Sequence, residues 1–458
     1  MEQVLNKIIR YSLYLLVFLL PLWFLPFTVL PVIINKQMLL AVFVFLLFIL
    51  WMLKIMIEGK LNFAWGKITK SLILLFIILG ISTAISSSKI QSFWGMSFEP
   101  DTLFSFILYL LVFFLFANLI SENQLSSAVI SFLASSGILS LFFLIQAFWK
   151  PLFPWDFTQG AGFNPVGSVQ SLGVFLGGSF VILMALVTGN SAFLQRINQR
   201  RISGIILGIL LFISIFIINQ WVVWLGIALG MVIILWGMLK SISDMRKFIL
   251  PLFILALSLT FLIIRLPTGN IITLPSEISP TYKATFDIAL KTLKENPKNL
   301  ILGSGPSTFV YQYGLHRGVG PNLTNFWQVR FDQGANAFLT FLTTSGILGT
   351  LAILLLISIF LYQGFKKLIS DNQRIDQREI SGTQLAVFVG GLYYLICGFL
   401  YPINLSLLFV VFVILGLWEA ISVNQRIVQR KISGVLLRRT LWETFLLDSS
   451  FCDIINHS

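Results

Sequence analysis

The sequence predicts an all-α polytopic membrane protein with about 12 transmembrane helices and one long outer loop containing short amphipathic helices. Three observations predict it. Apolar runs of span length recur along the 458 residues, and a helix needs about 20 apolar residues to cross the hydrocarbon. The composition is 57% apolar and only 11% charged, against roughly 45–50% and about 25% in soluble domains. The runs do not alternate apolar and polar residues as barrel strands do, and a chain in lipid must satisfy its own backbone, which favours helices.

The elements follow in order. Tyr11 to Ile34 is too long for the apolar core of a secretory signal and lacks a small-residue cleavage site, so it reads as a retained first span. Further candidate spans lie at 38–57, 69–86, 102–120, 126–149, 168–188 and 204–218. A polar break at Asn219 and Gln220 separates the last of these from 221–239, and a ninth span is expected at 248–264. The chain thus divides into an N-terminal bundle of about nine spans (1–264), an outer loop (265–335), about three C-terminal spans (336–422) and a tail (423–458). The last spans are expected at 336–362, 384–401 and 403–421.

Charge sets the orientation. The formal net charge is +13, but the basic residues lie between apolar runs and not on a nucleic-acid-binding face. With the N-terminus inside, 21 Lys and Arg fall on inner segments and 10 on outer ones, seven of these in the long loop. The short outer loops hold only Lys36, Lys89 and Lys150. Such asymmetry is the positive-inside pattern, so both termini are expected to be cytoplasmic.

A decapeptide recurs on that inner side: QRINQRRISG (195–204), QRIDQREISG (373–382) and QRIVQRKISG (425–434). It reads as a short insertion tolerated in solvated loops, or as an Arg-rich surface for anionic lipid headgroups. Cys397 and Cys452 form no metal or redox motif. Asp101 and Glu419 lie at span ends, with no carboxylate or histidine at mid-depth. Ion-coupled carriers keep such groups inside the membrane, so their absence argues against one.

The long loop has internal design. Ser279-Pro280 is a helix start, and Tyr282, Phe286, Ala289 and Leu293 then recur at helical spacing until Asn296-Pro297 ends the element. Such a helix lies flat on the outer membrane face. LILGSGPSTF (300–309) carries Gly303, Gly305 and Pro306, a tight turn or a phosphate-binding helix start, with no following Lys-Ser/Thr to make a P-loop. His316, beside Arg317, is the outer side's one histidine and its fallback general base. RFDQGANAFLTFLTTSGILG (330–349) is a polar doorway into the tenth span.

FWGMSFEPDTLFSF, GFNPVGSVQSLGVFL, ILGSGPSTF and NAFLTFLTTSGILG, in this order, make the chain resemble the O-antigen ligase and Wzy-type polymerase superfamily. The resemblance covers most of the chain and is strongest at 279–355. It implies a multi-pass enzyme of the bacterial cytoplasmic membrane that moves a glycan from an undecaprenyl diphosphate carrier to a glycan, lipid or protein acceptor on the periplasmic face, without metal or cofactor. The carrier's diphosphate would be held by cations, for which Arg265, Lys283, Arg317 and Arg330 are the candidates, with Asn336, Gly303 and Gly305 lining the substrate site. The sequence departs from the family pattern at three places: Gln333-Gly334-Ala335-Asn336 stands where relatives carry a histidine motif, Asn219-Gln220-Trp221 where they carry Ser-Arg, and Tyr282 where an arginine opens the loop helix. A non-catalytic member of the fold that binds lipid-linked glycan is the second expectation, and a multi-pass transporter the third.

Overall fold

The computed structural model describes residues 2–423 except 60–62, 97–98, 150, 190–200, 240–244, 265–271, 276, 321–326, 371–381 and 403. The decapeptides at 373–382 and 425–434 therefore lie almost wholly outside the described residues, as do most of the one at 195–204, Arg265, Lys150 and the tail. The described chain is helical, and no strand occurs in it. Among the described residues, ten helices are long and apolar enough to cross a membrane. Two shorter apolar helices, Leu103–Leu119 and Ile202–Ile218, stand where the fourth and seventh spans are expected.

The helices are α1 (Glu2–Leu22), α2 (Ile33–Glu58), α3 (Lys67–Ala84), the short α4 (Lys89–Trp94), α5 (Leu103–Leu119), α6 (Leu125–Phe148), α7 (Val169–Thr188), α8 (Arg201–Ile218), α9 (Trp221–Met238) and α10 (Arg246–Ile263). Three short loop helices follow: α11 (Tyr282–Glu295), α12 (Pro297–Leu302) and α13 (Phe309–His316). The last three are α14 (Ala337–Ser370), α15 (Gly382–Leu400) and α16 (Leu405–Val423). Side-chain caps set several starts: Thr102 accepts from Ser105 N, Ser168 from Ser171 N and Thr281 from Ala284 N. The loop helix thus begins on Thr281 and not at Ser279-Pro280, and Asn296-Pro297 both ends it and caps α12.

Nearly every residue of α7 is buried, and α8, α9 and α15 surround it. On the other side of the bundle α1 packs on α2 and α6, and α14 packs on α3. The loop helices α11 and α12 lie against α14.

The first turn of the bundle corrects the sequence reading. The first helix ends at Leu22, and Pro26 and Pro31, which cannot donate a helical hydrogen bond, separate it from α2. Lys36 is not in a short outer loop: it lies in α2 and is 1% exposed. Its Nζ donates to the carbonyl of Pro21 (3.1 Å) and to Ser406 Oγ (2.6 Å). The Pro21 carbonyl lies in the last turn of α1, where intrahelical donors run out. Neighbouring Asn35 donates to Leu25 O, Thr28 Oγ1 and Pro31 O, and Gln37 donates to Ser105 Oγ (2.8 Å). One polar tripeptide thus fastens α1, α2, α5 and α16 together.

Candidate functional site

The doorway residues form a cap over a cavity. Asn336 caps α14: its Oδ1 accepts from Leu339 N, and its Nδ2 donates to the last turn of α15 at Phe399 O, both at 2.8 Å. The amides of Gly334 and Ala335 donate to Thr340 Oγ1 and Thr285 Oγ1, and that of Ala337 to Tyr401 O. Irregular backbone at this depth is tolerated because protein partners satisfy it. Beneath it, α5, α14, α15 and α16 enclose a cavity of about 150 Å³. Its walls are Phe, Leu and Ile side chains, and its polar lining is mainly Asp101, Gln333 and Thr340.

The turn at 303–308 positions Asp101. Ser82 and Ser86 at the end of α3 donate to Leu302 O and Ser304 O, and Gln91 of α4 donates to Ser307 O (2.9 Å). The amides of Ser304 and Gly305 donate to Thr343 O and Thr344 O, carbonyls set free where α14 breaks at Gly346 (φ 64°). Gly303 (φ 72°) and Gly346 lie backbone to backbone: a Cβ on Gly303 would fall 2.5 Å from Gly346 N, and one on Gly346 2.4 Å from Gly303 N. Ser307 follows with φ 56°, a left-handed conformation that costs a non-glycine residue on the order of 1 kcal/mol. Held so, its amide donates to the Asp101 carboxyl.

Asp101 Oδ2 is buried without a hydrogen-bond partner. Burial, first, and then the charges of Asp332 and Glu99 push the Asp101 carboxyl up to about 7. Asp332, the residue before Gln333, is also raised, by desolvation first and by the charge of Glu99. This corner is a carboxyl poised near neutrality above an apolar chamber, the arrangement that suits a general base and a carboxylate that hydrogen-bonds hydroxyl groups. Among the described residues no cluster of His, Cys, Asp or Glu is arranged to hold a metal ion.

The residues singled out from the sequence take other places. His316 ends α13, and its Nε2 lies 2.8 Å from Glu295 Oε1. Arg317 donates from Nη1 to Trp327 O (2.9 Å) and stacks over Tyr313. Lys283 and Arg330 are exposed. The structure brings His316 and Arg317 together on the loop helices, and none of these four lines the cavity. Gly303 and Gly305 shape the turn, whose Ser304 and Gly305 amides are taken up by α14. Tyr282 donates its hydroxyl to Leu400 O, fastening α11 to α15.

Sequence pattern marks Asp101 only as a span end and Gln333 only as a departure from the family motif, and it does not single out Asp332 or Ser307. The acid pair Glu99 and Asp101, set just before a Thr-capped span, was the available signal. No protein-family model matches the chain, and no curated protein matches it.

Proposed function

We propose that this chain is a membrane glycan transferase of the ligase/polymerase type, taking a glycan from an undecaprenyl diphosphate carrier to an acceptor on the outer face. One observation carries the reading: the unpartnered Oδ2 of Asp101 heads an apolar cavity beside Gln333, the first residue of the stretch where the resemblance expects a base. The cavity takes apolar chain from a lipid substrate, and the carboxyl takes the hydroxyl proton of the acceptor. The acceptor oxygen bonds to the anomeric carbon, the bond from that carbon to the diphosphate oxygen breaks, and the carrier diphosphate leaves. Arg317, Arg330, Lys283 and Arg265 are the loop cations for the departing charge. The second reading is a non-catalytic protein that binds lipid-linked glycan; it is favoured by the absence of Lys and Arg from the described cavity lining.

The site faces the periplasm of a bacterial cytoplasmic membrane in this reading, with both termini cytoplasmic. Reporter fusions at Arg200 and Arg378 are expected to read inside, and one at Lys298 outside. The chemistry is tested in vesicles supplied with lipid-linked donor and acceptor. Asp101→Asn is expected to lower transfer by about 100- to 10,000-fold, the usual weight of a general base, with donor binding retained. Transfer by Asp101→Asn at the wild-type rate overturns the assignment. Donor binding by a wild-type protein that transfers nothing supports the second reading.

A further inference from the structure

A second recess opens at the other side of α7. It is a groove of about 820 Å³ with α7 as its floor and α8 and α10 as its walls. Met184 lies on the floor; Gly204, Gly208 and Phe212 line one wall, and Leu250 and Phe253 the other. The walls face outward: Ile205 is 62% and Phe253 63% exposed. Gly204 to Phe212 spans about 12 Å along the helix axis. The groove stays open because α8 carries no side chain at Gly208. A Cβ there would only touch Leu183 and Met184, at 3.7 and 3.9 Å, so a larger residue would occupy the recess.

The lip is basic. Arg246 and Lys247 open α10 and are exposed. Arg246 precedes Leu250 by four residues and Lys247 does so by three, so both stand one turn above the apolar wall on its side of the helix. A slot lined almost wholly by apolar side chains offers nothing to a sugar or a peptide backbone. A partner helix, about 10 Å across with its side chains, needs an open face and not a recess floored by a buried helix.

We propose that this groove binds one anionic glycerophospholipid, its acyl chain between α8 and α10 and its phosphate at Arg246 and Lys247. The site is separate from the Asp101 cavity and does not rest on the transfer reading. Basic side chains at an anionic lipid surface contribute about fivefold each, so the pair gives roughly a thirtyfold preference over a zwitterionic lipid.

The full chain is reconstituted in vesicles of equal phosphatidylglycerol and phosphatidylcholine, extracted in mild detergent, and its retained lipid counted by native mass spectrometry. One retained phosphatidylglycerol per chain is expected, with that preference. The R246Q/K247Q variant, altered only at exposed positions, is expected to keep lipid but lose the preference. Gly208→Leu is expected to lose retained lipid of both kinds at least tenfold, while Gly80→Leu, whose Cβ meets nothing within 4 Å, retains it as wild type does. Equal retention of the two lipids by the wild type, or an unchanged preference in R246Q/K247Q, overturns the proposal. So does unchanged retention in Gly208→Leu.

Discussion

Two buried ionisable groups make opposite use of burial. The Lys36 amino group donates to two acceptors, Pro21 O and Ser406 Oγ, and fastens three helices. The Asp101 carboxyl receives the Ser307 amide and keeps Oδ2 without a partner, facing a chamber. A buried polar group whose bonds are met by protein is committed to the fold. One left open is costly and persists where surrounding structure enforces it. Here the enforcement is visible in the strained Ser307 and in the serines of α3 that hold its turn. The comparison teaches that burial alone does not separate the two groups; an unmet bond at the mouth of a cavity does.

Three experiments sharpen or break that contrast. The largest stability effect is expected at the committed group: Lys36→Met leaves two acceptors behind, and loss of a buried partner costs about 1–3 kcal/mol. Thermal unfolding in detergent measures it, and a Lys36→Met protein as stable as wild type would place Lys36 with Asp101 and dissolve the distinction. The next effect is one of pH. Between the usual carboxylate value of 3.8 and about 7, the folded chain keeps a proton on Asp101 that the unfolded chain has released. Stability therefore falls as pH rises through this window and levels off above about 7. Asp101→Asn is expected to flatten the slope, whereas wild-type transfer rises with pH over the same range as the base ionises. The smallest effect is expected at His316, whose exposed pair with Glu295 is worth at most about 1 kcal/mol. In the transfer assay His316→Ala is expected to stay within about tenfold of wild type, short of the hundredfold minimum of a lost base. A larger loss would move the base from Asp101 to the Glu295–His316 pair.

Sequence pattern carried the spans well because an apolar run long enough to cross lipid has few other uses. It failed at polar residues whose partners lie far along the chain. Asn35-Lys36-Gln37 interrupts an apolar run and reads as a loop, yet α2 runs through it because Ser406, 370 residues away, receives the lysine. Asp101 reads as a span end because Ser307 and Gln333, which complete its corner, follow more than 200 positions later. The loop helix was legible in its spacing, but Tyr282 and Phe286 of the expected stripe stay exposed while Ile288, Ala289 and Leu293 are buried, and its start shifted to Thr281 because the cap hydroxyl there reaches Ala284 N. His316 attracted notice by residue type; only the three-dimensional arrangement shows it paired to Glu295 and away from the chamber lining.

The backbone contact between Gly303 and Gly346 has a consequence in genetics. A lesion that enlarges one side of an ordinary helix contact is often repaired by trimming the residue opposite. Here both residues are already glycine, each facing the other's main chain at 2.4–2.5 Å from any added Cβ, so neither has an atom left to give up. Compensation for an alanine at either position cannot come from its counterpart. Revertants would have to restore the original codon or shift whole helices, and the pair would behave in a suppressor screen as one indivisible locus joining the long loop to α14.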